Sequence, residues 1–282
     1  MAASSAAGRA NVGYDYDRGR GDEDVPPRDP AIDATARRVR ALFEASPEKL
    51  FYSTQIQTTL EREFFHWITG KALLELGNSR TLQRVQEVVR GNAVTFYAHR
   101  RHRYWRRELR TMTALLERIF DPEFSHAVGR HGELVFDAAL GRAGFRAEAR
   151  DTSSWNSASW TTTNHKLDRV ITRDGRAYGV EIKNTQNYIP RMELRLKTQL
   201  CRHLRLIPLF IMRFAPKSYI HEVNQSGGFV LLFEHQMYPW GHNALVAAVR
   251  ETLGLKVHSP ADVKEGDIQR LLAWHGRQGG HE

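Results

Sequence analysis

The dipeptide Asp174-Gly175 constrains this 282-residue chain more than any other pair of positions. It separates two β-favouring runs, His165 to Thr172 and Ala177 to Asn184, and Asp-Gly is a preferred two-residue hairpin loop because both loop positions need positive φ. With these two residues as the loop, Arg173 faces Arg176 and the rest of the register follows. Asp168 then lies directly opposite Glu181, and Lys183 projects from the same face, two residues along. The other face aligns Leu167 with Ile182 and Ile171 with Tyr178, an apolar surface with Arg169 as its one misfit.

Like charges directly opposite on a sheet cost roughly 0.2–1 kcal/mol where exposed, and more where water is excluded. A divalent cation bridging Asp168 and Glu181 removes that repulsion. Hard carboxylate oxygens with open positions suit Mg²⁺ or Mn²⁺ that also holds a phosphate. Lys183 beside them can orient or deprotonate a water and stabilise charge developing on phosphorus. The plainer alternative makes Asp168 and Glu181 ordinary polar strand residues with Lys183 as a salt-bridge partner.

Around this hairpin, strands mix with helices. A helix is expected over Ser125 to Gly141, then strand Phe145 to Asp151, the hairpin, helix Ile189 to Leu204, strand Ile207 to Arg213, a short helix, strand Phe229 to Phe233 and helix Ala244 to Leu253. That order implies an α/β domain with a central mixed β-sheet flanked by helices. Asp168, followed after a short hairpin by Glu181-Ile182-Lys183, with Glu133 on a preceding helix, resembles the active-site pattern of the PD-(D/E)XK nuclease superfamily. The order of elements resembles its Holliday-junction-resolvase-like branch. The resemblance spans roughly residues 125–233, and Leu167 stands where the superfamily's motif has proline.

The resemblance implies a restriction-endonuclease-like fold and Mg²⁺- or Mn²⁺-dependent hydrolysis of phosphodiester bonds. It makes Asp168 and Glu181 metal ligands, Lys183 a catalytic residue, and Glu133 a further ligand and catalytic residue, with His131 or Asp137 as alternatives for that role. Gln199, on the following helix, matches a supporting polar position, or is an exposed helical glutamine. Arg191, Arg195, Lys197, Arg202 and Arg205 on that helix are candidate phosphate contacts. The long loop from Thr152 to Thr163 carries Trp155 and Trp160, which either close over DNA or pack locally.

Upstream, apolar residues recur at helical spacing over Ala34 to Ala45, and further helices fit Thr54 to Glu61 behind Ser53, and Thr69 to Leu76 stopping at Gly77. Two strands, Leu82 to Val89 and Ala93 to Ala98, follow, joined through Arg90, Gly91 and Asn92. Three helices and a hairpin resemble a winged helix-turn-helix over Phe51 to Trp105, with a connecting helix from Tyr104 to Phe120. Residues 80–110 hold nine arginines against Glu87 and Glu108. Arg90, Arg100, Arg101, Arg103, Arg106, Arg107 and Arg110 cluster with Phe96, Tyr97, Tyr104 and Trp105, a mixture suited to a phosphate backbone.

Composition agrees with a polyanionic partner, since the chain carries a formal net charge of +9 and a sequence pI near 9.8. Residues 1–30, rich in Gly, Asp, Arg and Pro, read as a disordered tail, leaving a winged-helix domain over 31–120 and a nuclease domain over 121–282. The longest apolar run, Leu206 to Met212, is too short to span a bilayer, and the first residues lack a signal-peptide block. A single cysteine, Cys201, forbids an internal disulfide. The expectation is a cytoplasmic or nucleoid- or nuclear-associated DNA endonuclease acting on double-stranded or branched DNA without a membrane partner. Cutting both strands calls for two active sites, which makes a homodimer a candidate state. The rival expectation is a non-catalytic DNA-binding or regulatory protein on a relic nuclease fold.

Overall fold

The computed structural model describes residues 29–278, so the expected tail lies outside them up to residue 28. The chain divides between Asp121 and Pro122 into two compact units.

The first unit runs α1 (Pro30–Ala45), β1 (Leu50–Tyr52), α2 (Ser53–Leu60), α3 (His66–Asn78), β2 (Leu82–Val89), β3 (Asn92–His99) and α4 (Trp105–Ile119). Helix α1 starts earlier than the apolar spacing suggests. Asp29 accepts the Ala31 N–H at 2.9 Å, and Pro30 occupies the first turn, where a missing N–H costs nothing. Ile32, Ala36, Val39 and Phe43 of α1 share a core with Ile68, Ala72, Leu73 and Leu76 of α3. Ser53 is the first residue of α2 rather than its cap, and the Gln55 side chain accepts the Tyr52 N–H at 3.3 Å.

Helix α3 passes through Gly77 instead of stopping there. A side chain at Gly77 would meet the Cδ of Arg84 at 2.8 Å, so this glycine serves a close approach by β2. The left-handed residue after the helix is Arg80, with φ of 58°. The hairpin is tighter than expected: Val89 pairs with Asn92, leaving Arg90 and Gly91 as the loop with φ of 51° and 78°. The short β1, not anticipated from the sequence, pairs antiparallel with β3 and completes a sheet of order β1-β3-β2.

The second unit runs α5 (Pro122–Arg142), β4 (Arg146–Thr152), β5 (Ser154–Trp155), β6 (Ala158–Ser159), β7 (Leu167–Arg173), β8 (Arg176–Lys183), α6 (Arg191–His203), β9 (Ile207–Met212), α7 (Lys217–Gln225), β10 (Phe229–Leu232), β11 (Gln236–Met237), α8 (Asn243–Ala248), a π-helical turn over Val249–Leu253, β12 (Val257–His258) and α9 (Glu265–Arg277). Its main sheet has the order β10-β9-β8-β7-β4. Strands β4, β7 and β8 pair antiparallel, whereas β8, β9 and β10 pair parallel, so the sheet is mixed and the unit is α/β.

One face of the sheet buries Ile171, Tyr178, Val180, Ile182, Leu209 and Ile211 against Val135, Phe136 and Leu140 of α5 and Leu271 and Trp274 of α9. The other face packs Val170 and Leu167 on Leu200 and Cys201 of α6, and Phe210 and Met212 near Leu194 of α6 and Val223 of α7. Among the described residues, no helix is long and apolar enough to cross a membrane.

The central hairpin keeps the register set by its turn. Asp174 and Gly175 have φ of 47° and 73°, and the pairs run from Arg173↔Arg176 to Arg169↔Val180. There the ladder ends, and the expected Leu167↔Ile182 pair does not form. Leu167 pairs instead with Thr152 of β4 and packs towards α6. The cause is local: the Ile182 N–H is taken by the Asp168 carboxylate at 2.7 Å, and the Asp168 carbonyl accepts from Arg169 Nη1 at 2.6 Å.

Candidate active site

The end of the hairpin brings charged groups into a largely buried space. Strand alternation sends Glu181 and Lys183 of β8 towards α6, on the face opposite Ile182. Glu181 is 1% exposed, yet both its oxygens meet lysines. Oε1 lies 2.8 Å from Lys183 Nζ, and Oε2 accepts from Lys197 Nζ of α6 at 2.6 Å. Lys183 also reaches Glu193 of α6 at 3.1 Å, while Lys197 donates to the Lys166 carbonyl.

These contacts set the electrostatics. Burial pushes the Asp168 carboxyl up to about 6, and the neighbouring Glu181 charge adds to the rise; the Ile182 N–H and the two lysines pull it down less strongly. For Lys183 burial is the largest single influence and favours the neutral amine. Glu181, Glu193 and Asp168 together outweigh it, so the ammonium is held above its ordinary range. At neutral pH, Lys183 is therefore a charged hydrogen-bond donor rather than a free base.

The donor set fits a small divalent cation. Glu181 Oε1 is buried, with the Lys183 ammonium 2.8 Å away and, among the described residues, no backbone donor on it. Asp168 commits Oδ2 to a backbone N–H. Mg²⁺ usually takes one or two carboxylates and completes its shell with waters and phosphate oxygens, so two carboxylates suffice. Among the described residues, no group of three or more His, Cys, Asp or Glu has the arrangement of a metal site.

Glu133 is linked to the Asp168 backbone through Arg169. Arg169, the misfit of the apolar face, is 5% exposed and points to α5, where it binds Glu133 at 2.8 Å and Asp137 at 3.0 Å. Asp137 also binds Arg150 of β4 at 2.9 Å. Arg150 sits directly across the ladder from Arg169. Glu133 and Asp137 thus neutralise a pair of facing arginines. His131 is buried, edge-on to the Trp240 ring.

On α6 the candidate phosphate contacts separate. Lys197 is buried at Glu181 and cannot face solvent. Arg191 and Arg195 are ion-paired to Glu222 of α7, while Arg202 and Gln199 are exposed; Arg205, expected on this helix, lies just past its end with φ of 56°. Lys197 and Glu193 are the site residues that the motif did not supply. A signal for Lys197 was present: it falls on the helical stripe of Leu194, Leu200, Cys201 and Leu204, which is buried.

The tryptophan loop is an ordered miniature hairpin, β5 to β6, turning at Asn156 and Ser157 with φ of 45° and 67°. Trp155 and Trp160 pack against the Leu167, Val170 and Leu200 cluster. Trp160 donates to Thr163 Oγ1 at 2.9 Å. The rings are thereby committed to local packing.

In the first unit, Arg100, Arg101, Arg103, Arg106, Arg107 and Arg110 are exposed at the end of β3 and along α4. Arg106 stacks on Trp105 at 4.7 Å. Arg90, at the hairpin tip, lies 3.5 Å from Asp121. Of the aromatics interleaved with them, Phe96 and Tyr97 are buried while Tyr104 is 76% exposed.

No protein-family model, no curated protein and no solved structure matches this chain.

Proposed function

We propose that residues 121–282 form a divalent-metal-dependent endodeoxyribonuclease domain of the PD-(D/E)XK type, and that residues 31–120 form a winged helix that docks on DNA. The observation that carries this reading is the meeting of Asp168, Glu181 and Lys183 at the end of one hairpin, with the buried Glu181 2.8 Å from the Lys183 ammonium. Asp168 and Glu181 are the residues that would hold Mg²⁺ or Mn²⁺. Such an ion supplies Lewis-acid polarisation of a phosphate and favours deprotonation of a water.

The chain's own groups do the remaining work. Lys183, kept cationic by Glu181 and Glu193, donates to a phosphate oxygen or to the attacking water and stabilises the negative charge that builds on phosphorus. Glu133 and Asp137 hold Arg169, and Arg169 fixes the carbonyl of Asp168. Their part is to keep the strand that presents Asp168 in place. For the first unit, support comes from the order of helices and hairpin and from the six exposed arginines that follow β3. Exposed guanidinium groups of that density suit phosphate contacts that set position rather than sequence.

A panel of linear, flapped and four-way DNA, incubated with Mg²⁺ or Mn²⁺ beside a sizing measurement, tests the proposal and asks whether a homodimer forms. Cleavage of at least one substrate is expected, and an intact panel with both metals contradicts it. One observation favours a non-catalytic relic: two lysines already neutralise Glu181 without any metal. Calorimetry separates the readings, because a relic gives no Mn²⁺ binding that depends on Asp168.

A further inference from the structure

Glu181 has two lysines, and they are not equivalent. Lys197 Nζ makes a 2.6 Å hydrogen bond to Oε2, is also bound to the Lys166 carbonyl, and belongs to a residue 7% exposed. Lys183 Nζ is ion-paired to Oε1 at 2.8 Å. Its side chain is 29% exposed, and a second carboxylate, Glu193, waits 3.1 Å away. A carboxylate as buried as Glu181 needs a fixed counter-charge, because an uncompensated buried charge is strongly destabilising. If Lys183 supplied it, Lys183 would be tied to Glu181 and withheld from a phosphate.

We propose that Lys197 is the permanent partner of Glu181 and a positioning residue of the site, which leaves Lys183 free to pass between Glu181, Glu193 and a bound phosphate. The catalytic part of this inference rests on the nuclease reading above; the pairing part does not. Lys197 fixes the Glu181 carboxylate from the α6 side and, through Lys166, anchors the chain two residues before Asp168. One ammonium thus holds both segments that carry the acidic groups.

Thermal unfolding of the full chain in a double-mutant cycle tests the pairing without any cleavage assay. Lys197→Met is expected to lower Tm by about 10 °C, the scale for stranding a buried carboxylate in a domain of this size. Lys183→Met is expected to lower it by about 3 °C or less, since Glu181 keeps Lys197. In a Glu181→Met background the Lys197→Met penalty should largely vanish, because an apolar pair replaces an ionic one. If Lys197→Met alone does not fold, the Glu181→Met/Lys197→Met chain is expected to fold.

A Lys183→Met penalty equal to or larger than that of Lys197→Met overturns the proposal. So does a Lys197→Met penalty that persists unchanged without Glu181, or a double variant that stays unfolded while Glu181→Met/Lys183→Met folds. For a chain that cleaves DNA, Lys197→Met should lower kcat about tenfold with little change in KM, whereas Lys183→Met abolishes turnover. Equal and small effects of the two substitutions on kcat contradict the division of roles. A chain that cleaves nothing sinks the nuclease reading and leaves the unfolding cycle to decide the pairing.

Discussion

Asp168 accepts the Ile182 N–H at 2.7 Å and so takes the place that the Leu167 carbonyl would hold if the β7–β8 ladder continued past Arg169↔Val180. A side chain that replaces a backbone acceptor is fixed in orientation by the sheet itself. The same substitution frees Leu167 to pack on α6, which covers the buried end of the hairpin where Glu181 sits.

Burial first, and the charge of Glu181 second, raise the Asp168 carboxyl from 3.8 to about 6. A carboxyl raised in the folded state stabilises the fold below its unfolded value, and that contribution is lost as pH climbs through the folded value. Wild-type stability should therefore decline by up to about 3 kcal/mol from this group between pH 4 and pH 7. Asp168→Asn keeps an acceptor for Ile182 and removes the ionisation. Denaturant unfolding should find it more stable than wild type at pH 8 and equal to it at pH 4; a variant less stable at pH 8 refutes the assignment.

The buried Arg169 holds the half-buried Glu133 and Asp137. Arg169→Met should cost about 1–3 kcal/mol, since Glu133 loses its arginine and the bond to the Asp168 carbonyl goes, while Asp137 keeps Arg150. Glu133→Gln should cost about 1 kcal/mol or less, because Asp137 keeps the guanidinium. It should also leave Mn²⁺ affinity within about twofold of wild type in calorimetry. Loss of Mn²⁺ binding in Glu133→Gln would restore Glu133 to the ligand set.

Gly179 lies in β8 under α6, where an added Cβ would meet Cys201 Sγ at 2.5 Å and Leu167 Cδ1 at 2.9 Å. Gly179→Ala is expected to destabilise the chain by about 1–3 kcal/mol through overpacking. Pairing it with Cys201→Ala should recover part of that loss, and unfolding midpoints of the two variants decide it. Equal midpoints would mean that α6 does not press on β8 as described.

The exposed arginines after β3 predict an electrostatic signature. Replacing Arg100, Arg101 and Arg103 with Ala should weaken binding to duplex DNA and reduce the slope of log affinity against log salt by about 2–3, roughly one for each phosphate no longer neutralised. An unchanged slope in a fluorescence-anisotropy titration would assign this surface to a protein partner instead.

Much of the second unit is legible in the sequence because its strongest signals are local. The Asp174-Gly175 turn dictates register by φ alone, and the register dictates which residues share a face. Even the misfit at Arg169 is visible, although its partners on α5 lie some 35 positions upstream and leave no mark at that distance. The departure at Leu167 is not legible: it depends on a side chain outcompeting a carbonyl for one N–H, which hydrophobic alternation does not encode. Gly77 misleads because glycine ends helices and also admits close neighbours, and only the position of Arg84 decides between the two. At Lys197 the charge suggests solvent, while its place on the Leu194 to Leu204 stripe says burial, and burial prevails because Glu181 waits beneath.

The most direct test of the account is the rate at which the full chain nicks supercoiled DNA in Mn²⁺, measured for wild type beside Asp168→Asn, which should remain folded. Wild type should nick the DNA only with metal present, and the variant should be slower by about 100-fold or more. Equal rates in the two proteins, or intact DNA with wild type, would contradict it.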